Sequence, residues 1–191
     1  MTRQRILRSA FTEFYQNGFQ GGSLNRIVAE AGTTKGGLFH HFDGKQDLGY
    51  RVVDEVIRPH IQKEWIDPLL HCTDPVSEIK RILRASLAQN ENRLCQGCPL
   101  NNLAQEMSPL DDEFRRRIQS IYDEWRGAIS TAFRNGLKQG TVQRGIVPER
   151  IAAFVVAALT GMIGTAKNAA SFALLKSAAD ELIHYLDGLK Q

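Results

Sequence analysis

The chain has 191 residues, 42% of them apolar, which suits one or two small globular domains with a hydrophobic core. Its formal net charge of +3 mildly favours an anionic partner without establishing one. Three cysteines, an odd number, do not make a disulfide framework, and the N-terminus lacks the continuous apolar core of a signal peptide, so we expect a soluble cytoplasmic protein with no membrane partner.

Two helices are predicted in the first part of the chain. Apolar residues at helical spacing predict an amphipathic helix over residues 2–16, which Gly18 ends. A second helix is expected over residues 23–31, because its apolar residues form one stripe and Ser23 can cap its start. Gly32 tolerates the left-handed conformation found at helix ends, so we expect it to end this second helix.

A very short third helix is expected to begin at Lys35, with Thr34 as its cap. Its adjacent Gly36 and Gly37 each cost roughly 1 kcal/mol relative to alanine, but their small size benefits a helix pressed against a sugar–phosphate backbone. Helix, glycine-containing turn and helix make a helix-turn-helix, whose second helix enters the DNA major groove. Taken alone, the segment also fits a small helical corner with a solvated polar face.

Many positions in the first quarter of the chain agree in order and without gaps with one known pattern. They are Ile6, Ala10, Phe11, Phe14, Gly18, Phe19, Ser23, Ile27, Ala29, Ala31, Gly32, Lys35, Gly36, Leu38, Phe39, His41, Phe42, Lys45 and Leu48. This pattern resembles the DNA-binding domain of TetR/AcrR-family transcriptional regulators. The resemblance implies an all-α homodimer that binds palindromic operator DNA. It also implies a C-terminal domain that binds a small-molecule effector, which usually releases the protein from the operator.

The resemblance, together with the predicted helices, indicates a helix-turn-helix DNA-binding domain over residues 1–45 and a helical effector-binding and dimerisation domain over residues 46–191. The residues that it places at the DNA are Ser23, Thr34, Lys35, Gly36, Gly37, Phe39 and His40, with Lys45 at a phosphate. The family usually has threonine before Ser23, where this chain has Gly22. One backbone contact is therefore missing or replaced by a main-chain N–H.

Sequence-specific binding is expected to rest on few side chains, because glycines offer no side-chain contact to a base edge. Thr34, Lys35 and His40 are the main candidates, with Asn25 or Arg26 as further ones. A direct contact from Lys35 to O6 and N7 of a guanine fits the chemistry of the major groove.

The next part of the chain is also predicted to be helical. A long helix is expected over residues 47–63, which Pro59 kinks or ends. Asp74 followed by Pro75 is a helix start signal, since aspartate caps the helix and proline suits its first position. We expect that helix to reach Asn92.

Cys95 and Cys98 have the Cys-x-x-Cys spacing of a redox pair or of half a zinc site. No paired metal-ligand spacing accompanies them and no strand of a thioredoxin-like fold is predicted nearby, so we expect no metal and no cofactor. The simplest interpretation is that they are small buried residues beside a helix start. The alternative is a reactive thiol, because Cys98 at the N-terminal end of the Pro99 helix would be favoured as a thiolate.

This alternative would make the chain a thiol-based redox or metal-binding helical protein that uses Cys95 and Cys98. The surrounding segment also resembles one branch of the TetR family, some members of which respond to reactive compounds. The matching positions are Gly97, Cys98, Pro99, Leu100, Asn102, Leu103, Ala104, Glu106 and Met107.

The last third of the chain is expected to hold the dimer interface. A long helix over residues 111–139 carries Arg115, Arg116 and Arg117, which are consecutive and so fan around the helix, and which we interpret as a solvated face rather than a DNA patch. Residues 151–166 are apolar on every side, just short of the roughly 18 residues of a membrane span, so we expect them to be buried on every side, in part by a second subunit.

The last helix has a coiled-coil-like apolar seam, which is typical of a helix-to-helix contact. Its members are Phe172, Leu175, Ala179, Leu182, Leu186 and Leu189. Two such helices from each subunit would make a four-helix dimer interface, and an intramolecular helix pair fits the same pattern. A protein that reads palindromic DNA needs two-fold symmetry, which favours the dimer.

Large apolar side chains in the second domain are candidates for the lining of an effector pocket, although any single one is more simply a core residue. The candidate ligand-binding residues are Trp65, Cys98, Asn102, Met107, Trp125, Phe133, Phe154 and Met162. No dense cluster of inward charges is predicted, so we expect an apolar or weakly polar effector. No nucleophile–base arrangement is visible, so we expect no enzyme, while an architectural DNA binder without an effector is a third possibility.

Overall fold

The computed structural model describes residues 2–88 and 96–191, and these residues form an all-α structure, as predicted. The α-helices are α1 (Thr2–Gly21), α2 (Leu24–Glu30), α3 (Lys35–Phe39), α4 (Lys45–Val52), α5 (Arg58–Ile61), α6 (Asp67–Leu70), α7 (Pro75–Leu87), α8 (Pro99–Met107), α9 (Asp112–Gln139), α10 (Pro148–Ala169) and α11 (Phe172–Asp187). Within the described ranges there is no β-strand, and an isolated bridge joins Val142 to Lys190.

The chain divides into two compact units. The first consists of the described residues up to His60 together with Pro99–Ser120. The second consists of the described residues of Ile61–Cys98 and Ile121–Gln191. Helix α8 therefore packs with the N-terminal helices, although it follows them by many residues. The functional division at residue 45 stays a prediction.

The core of the first unit is built around Phe19. Gly18 leaves the helical conformation with φ 75° and ψ 166°, so the regular part of α1 ends there, as predicted. The turn places the buried Phe19 ring 5.1 Å from the ring of Phe14 and 4.8 Å from that of Phe114, measured between ring centroids. A Cβ on Gly49 would lie 2.6 Å from both Phe19 and Phe114, so only glycine lets α4 approach this closely.

Pro59 does not end the predicted long helix. The chain stays helical from Lys45 to Leu70, with wide π-helical turns at Val53–Ile57 and Gln62–Ile66 on either side of α5. Pro59 has no N–H to donate to the carbonyl four residues before it. The π-helical turns on either side shift the hydrogen-bond register, so the helix continues past this position.

In the second unit, α7 begins as predicted, because Asp74 Oδ1 accepts a hydrogen bond from the Ser77 N–H at 2.9 Å. Helix α7 ends at Leu87 with Ala88 as its C-cap, short of the predicted end at Asn92, which itself lies outside the described residues.

The prediction that the seam of the last helix faces a partner subunit is wrong. Its central residues Leu175, Ala179, Leu182 and Leu186 are at most 4% exposed and pack inside the second unit, where α11 contacts α10 and α7. The other seam positions are not buried: Phe172 and Leu189 are of intermediate exposure. The intramolecular helix pair, which fitted the same spacing, is what the structure contains.

Helix α10 is not buried on every side within the subunit. Ile151, Val155 and Leu159 lie in the core, whereas Ala157 and Gly161 are exposed. By length and composition alone this helix is apolar enough to cross a membrane, and the core helix of a soluble protein passes the same test. Its exposed side consists largely of small residues.

Of the three consecutive arginines of α9, two are solvated as predicted and the third is not. Arg115 and Arg116 are exposed, but Arg117 is half-buried and forms ion pairs with Asp54 and, at 2.5 Å, Glu113. Successive helix residues are about 100° apart, so one of three neighbours turns toward the protein.

Candidate DNA-binding site

The predicted helix-turn-helix is confirmed, and local capping interactions explain its boundaries. Ser23 Oγ accepts a hydrogen bond from the Arg26 N–H at 3.4 Å at the start of α2. Gly32, with φ 60°, makes the turn after α2, and Thr34 Oγ1 accepts from the Gly37 N–H at 3.1 Å at the start of α3. Leu38 anchors the five-residue α3 because its side chain is almost fully buried.

The outer face of this motif presents most of the residues predicted to contact DNA. The exposed positions are Asn25, Arg26, Thr34, Lys35, Gly36, Phe39 and His40, and those of intermediate exposure are Ser23, Gly37 and Lys45. The Phe39 side chain is 52% exposed, which is unusual for a phenylalanine and places an apolar ring on the surface next to Lys35. This face offers a cation, hydroxyls, an imidazole and an aromatic ring to a ligand.

The paired glycines of α3 have different surroundings. A Cβ on Gly37 would lie 2.5 Å from Thr33 Oγ1, so packing inside the motif favours glycine there. A Cβ on Gly36 would meet only Thr34 Oγ1, at 3.8 Å, which is ordinary van der Waals contact. Nothing inside the described structure requires glycine at residue 36, so a requirement there has to come from outside.

Arg26 stabilises the motif from the side. Its Nε and Nη2 donate hydrogen bonds to Glu13 Oε1 at 2.8 Å and 2.5 Å, and Nη2 also donates to the Gly21 carbonyl. The same carboxylate oxygen accepts from the Ser23 N–H at 2.8 Å. Hydrogen bonding from Arg26 lowers the pKa of Glu13 despite the burial of its carboxylate. Of the two further candidates for base contacts, Asn25 and Arg26, the arginine is therefore held by the protein itself.

Lys45 lies at the first position of α4, after Gly44, which has no side chain to cap the helix. Its ammonium donates a hydrogen bond to the Gln20 carbonyl at 3.0 Å and lies 5.1 Å from the centre of the Phe19 ring. These contacts use one of the three N–H donors, and the others remain available beside the N–H groups of the first turn of the helix.

The residue before Ser23 has a packing reason to be glycine. A Cβ on Gly22 would lie 2.6 Å from the Phe14 ring. The Gly22 N–H donates to the Phe19 carbonyl at 3.2 Å, and the Ser23 N–H is held by Glu13. Both N–H groups donate to acceptors within the protein. This disfavours the idea that a main-chain N–H at residue 22 or 23 replaces the threonine contact that the family pattern leads us to expect.

A carboxylate from α8, Glu106, also contacts the motif. Glu106 Oε2 accepts a hydrogen bond from the Phe19 N–H at 2.8 Å, and Oε1 accepts from the Gln20 N–H at 2.7 Å. No local sequence pattern predicts a role for Glu106, because it lies 87 positions after Phe19. Its one signal was its place in the segment that resembles a branch of the TetR family.

The predicted effector-binding residues are only partly gathered in one place. Trp65 and Trp125 lie in the second unit with their ring centroids 5.2 Å apart, and both are buried. Phe133 and Met162 are also buried in that unit, while Asn102 and Met107 belong to the first. Phe154 does not line the interior, because its side chain is 48% exposed and its ring packs edge-on against Tyr185.

Among the candidate effector-binding residues, one buried polar atom has no partner in the part of the chain that the structure describes. The buried Trp125 Nε1 has no hydrogen-bond partner within the described parts of the chain. A buried N–H without an acceptor costs free energy, so this donor is suited to a bound acceptor.

Cys98 is buried, with 9% of its surface exposed, which favours a structural role over a reactive thiol. Cys95, the other member of the predicted Cys-x-x-Cys pair, lies outside the described residues. Across residues 2–88 and 96–191, no group of three His, Cys, Asp or Glu side chains is arranged to hold a metal ion.

Both parts of the chain match known family models. The model described as bacterial regulatory proteins, tetR family, matches residues 6–49. The model described as tetracyclin repressor-like, C-terminal domain, matches residues 75–182. Together they cover the helix-turn-helix and most of the helices that follow it.

Individual relatives agree with these matches. The HTH-type transcriptional repressor DhaR of Mycobacterium sp. strain GP1 is 27% identical over 161 residues, which cover 84% of this chain and 80% of that protein. The HTH-type transcriptional regulator LmrA of Bacillus subtilis strain 168 is 31% identical over 135 residues, 70% of this chain and 71% of that protein. The crystal structure of a TetR transcriptional regulator from Chloroflexus aurantiacus J-10-FL superposes with a TM-score of 0.86 at 25% identity, covering 99% of this chain and 96% of that one.

Proposed function

The chain belongs to the TetR family of bacterial transcriptional regulators, and from this premise we propose that it is a repressor that binds a palindromic operator as a homodimer and is released by a small-molecule effector. The proposal rests on the exposed face of α3. It belongs to a chain that matches the family models for both the N-terminal and the C-terminal domain. The family consists of DNA-binding regulators rather than enzymes. The thiol-redox or metal-binding alternative has no support from these relatives.

The exposed residues of α3 suit the reading of DNA. In this proposal Lys35 donates to O6 and N7 of a guanine in the major groove, while Thr34 and His40 contact neighbouring groups. Lys45 binds a phosphate with its remaining donors, because the N-terminus of α4 favours an anion at the same place. Phosphate contacts of this kind supply affinity and make it fall as the salt concentration rises.

The exposed side of α10 supports the dimer. Ala153, Ala157, Gly161 and Thr165 are exposed and repeat every four residues, which leaves a shallow groove for the close approach of a second helix. Phe154 and its neighbour Tyr185 extend the same surface with an aromatic pair. We place the interface of the two subunits here rather than at the apolar seam of α11.

The two buried tryptophans support an effector site inside the second unit. Trp65 and Trp125 provide flat apolar surfaces, and the Trp125 N–H, which has no partner among the described residues, provides a directional donor. An effector that suits them has an apolar body and one hydrogen-bond acceptor. The division into a DNA-binding domain to residue 45 and an effector and dimerisation domain after it, and a cytoplasmic location, complete the proposal.

The test is the binding of the purified protein to DNA from upstream of its own gene, compared with random DNA at physiological salt. Lys35→Ala and Lys45→Ala should abolish preferential binding while the dimer survives. Lys138→Ala removes the same charge from an exposed position of α9 and should bind as the wild type does. Normal operator binding by the first two variants would refute the site, and equal affinity for random DNA would favour an architectural protein.

A further inference from the structure

The turn between α1 and α2 is held by a carboxylate that comes from α8. Glu106 binds two successive backbone N–H groups, those of Phe19 and Gln20, with one carboxylate oxygen on each. Gly18 makes this approach possible, because a Cβ there would lie 3.0 Å from Glu106 Oε2 and its φ of 75° disfavours other residues. Hydrogen bonds to a charged acceptor are among the stronger ones in proteins, so this anchor fixes the peptide planes of the turn.

The same two residues hold Lys45. The carbonyl of Gln20 accepts a hydrogen bond from Lys45 Nζ at 3.0 Å, and the ring of Phe19 lies under the ammonium at a distance of 5.1 Å. Each residue that Glu106 fixes through its N–H therefore touches the lysine through another group. A lysine side chain has several rotatable bonds and loses conformational entropy when it is fixed in one position. Because the Gln20 carbonyl and the Phe19 ring already hold the ammonium in the free protein, less of this entropy is lost when DNA binds.

We propose that Glu106 is a positioning residue for DNA binding: through the backbone of Phe19 and Gln20 it holds the ammonium of Lys45 where an operator phosphate is bound. This inference rests on the proposed function, because it concerns the same DNA-binding surface. It assigns part of the DNA affinity to a residue of α8, which lies far outside the helix-turn-helix in the sequence.

The direction in which Glu106→Gln changes operator affinity distinguishes a positioning role from a simple effect of net charge. Glu106→Gln removes a negative charge from each subunit, and a more positive protein should bind DNA more tightly. The proposal predicts the opposite, because the two N–H groups each use their own carboxylate oxygen, and in glutamine one of those oxygens is replaced by an NH2 group that cannot accept, which leaves the turn loose. We expect operator affinity to fall on the order of tenfold. The control Glu124→Gln makes the same charge change at an exposed position of α9 and should not weaken binding.

The salt dependence gives a readout that loss of stability alone would not move. If Lys45 loses its phosphate in both subunits of a dimer, the slope of log K against log salt should become shallower by about 2, since each phosphate contributes about 0.9. At a salt concentration low enough for the Lys45→Ala variant still to bind DNA, Glu106→Gln added to that variant should change neither the slope nor the affinity further, because its effect passes through that lysine. Additive effects of the two substitutions would overturn the proposal.

Amide hydrogen exchange tests the physical link directly. The amides of Phe19 and Gln20 should exchange faster in Glu106→Gln, but should stay protected in Lys45→Ala, because the lysine depends on the turn and the turn does not depend on the lysine. Glu106→Asp keeps the charge but shortens the side chain, and it replaces the glutamine variant if that variant does not fold, as judged by circular dichroism.

The outcomes separate the two levels of the hypothesis. A wild-type protein that does not prefer its operator over random DNA would refute the proposed function itself. A wild-type protein that binds its operator, together with a folded Glu106→Gln variant of equal affinity and equal salt slope, would refute the role of Glu106 alone.

Discussion

Gly36→Ala should make the protein more stable and its operator binding weaker. Gly36 lies in α3, and a Cβ there would meet only Thr34 Oγ1 at 3.8 Å, so alanine fits without a clash. Alanine is favoured over glycine in a helix by up to about 1 kcal/mol. For a chain of this size, a gain of 1 kcal/mol raises the melting temperature by about 2–4 °C.

DNA binding should change in the opposite direction. If α3 lies in the major groove with Gly36 against the sugar–phosphate backbone, an added methyl group keeps the helix away from the base edges that Lys35 reads. The dimer carries this change in both half-sites. We expect operator affinity to fall at least tenfold, which corresponds to about 1.4 kcal/mol.

The assay combines thermal unfolding with fluorescence anisotropy on labelled operator DNA. Gly127→Ala is the matched control, because Gly127 is an exposed residue of α9 with nothing within 4 Å of a new Cβ. It should show the gain in stability without the loss of affinity. A Gly36→Ala variant that is more stable and binds its operator as tightly as the wild type would refute close approach as the reason for this glycine.

Three further predictions follow from other parts of the chain. Gly161→Glu places a charge on the exposed side of α10, where a Cβ has open space. Sedimentation should show a folded monomer, and operator binding should be weaker. A variant that stays dimeric would show that the subunit interface lies elsewhere. The pKa of Glu13 is lowered in the folded state by Arg26, so its contribution to stability is present above the unfolded pKa of about 4.3 and is lost as the pH falls through the folded value. Unfolding titrations should show Glu13→Gln less stable than the wild type at neutral pH, with a difference that shrinks on acidification; a pH-independent difference would contradict the assignment. Trp65 and Trp125 are the two tryptophans of the chain, and both are buried in the second unit. An effector bound beside them should therefore change the intrinsic tryptophan fluorescence. A compound that releases the protein from DNA without changing this fluorescence would show that the effector binds elsewhere.

Signals that act within a few residues were sufficient to predict the helix-turn-helix. Ser23, Thr34 and Asp74 each accept a hydrogen bond from the N–H three residues ahead, an interaction fixed by local geometry. Gly18 and Gly32 adopt the positive φ that their position at helix ends indicated. The order of these signals and the family pattern agreed, so the DNA-binding motif could be located from the sequence.

Contacts between distant parts of the chain could not be predicted in the same way. The spacing of Leu175, Ala179 and Leu182 identifies an apolar side of α11, but it does not say whether the covering helix belongs to the same chain or to another. Arg117 meets Asp54 across 63 positions, and Glu106 meets Phe19 across 87. No periodicity or local motif encodes such a pair.

These distant contacts bear on how the DNA-binding helices are held. Phe19 packs its ring against that of Phe114, and the N–H groups of the turn that contacts Lys45 donate to the carboxylate of Glu106. Both partners lie more than fifty residues beyond the helix-turn-helix. A unit of about 45 residues buries too little apolar surface to compensate for the loss of such partners. Under the proposed function, loss of the Glu106 contact would therefore weaken the support of the lysine that we assign to a phosphate without altering any residue of α3.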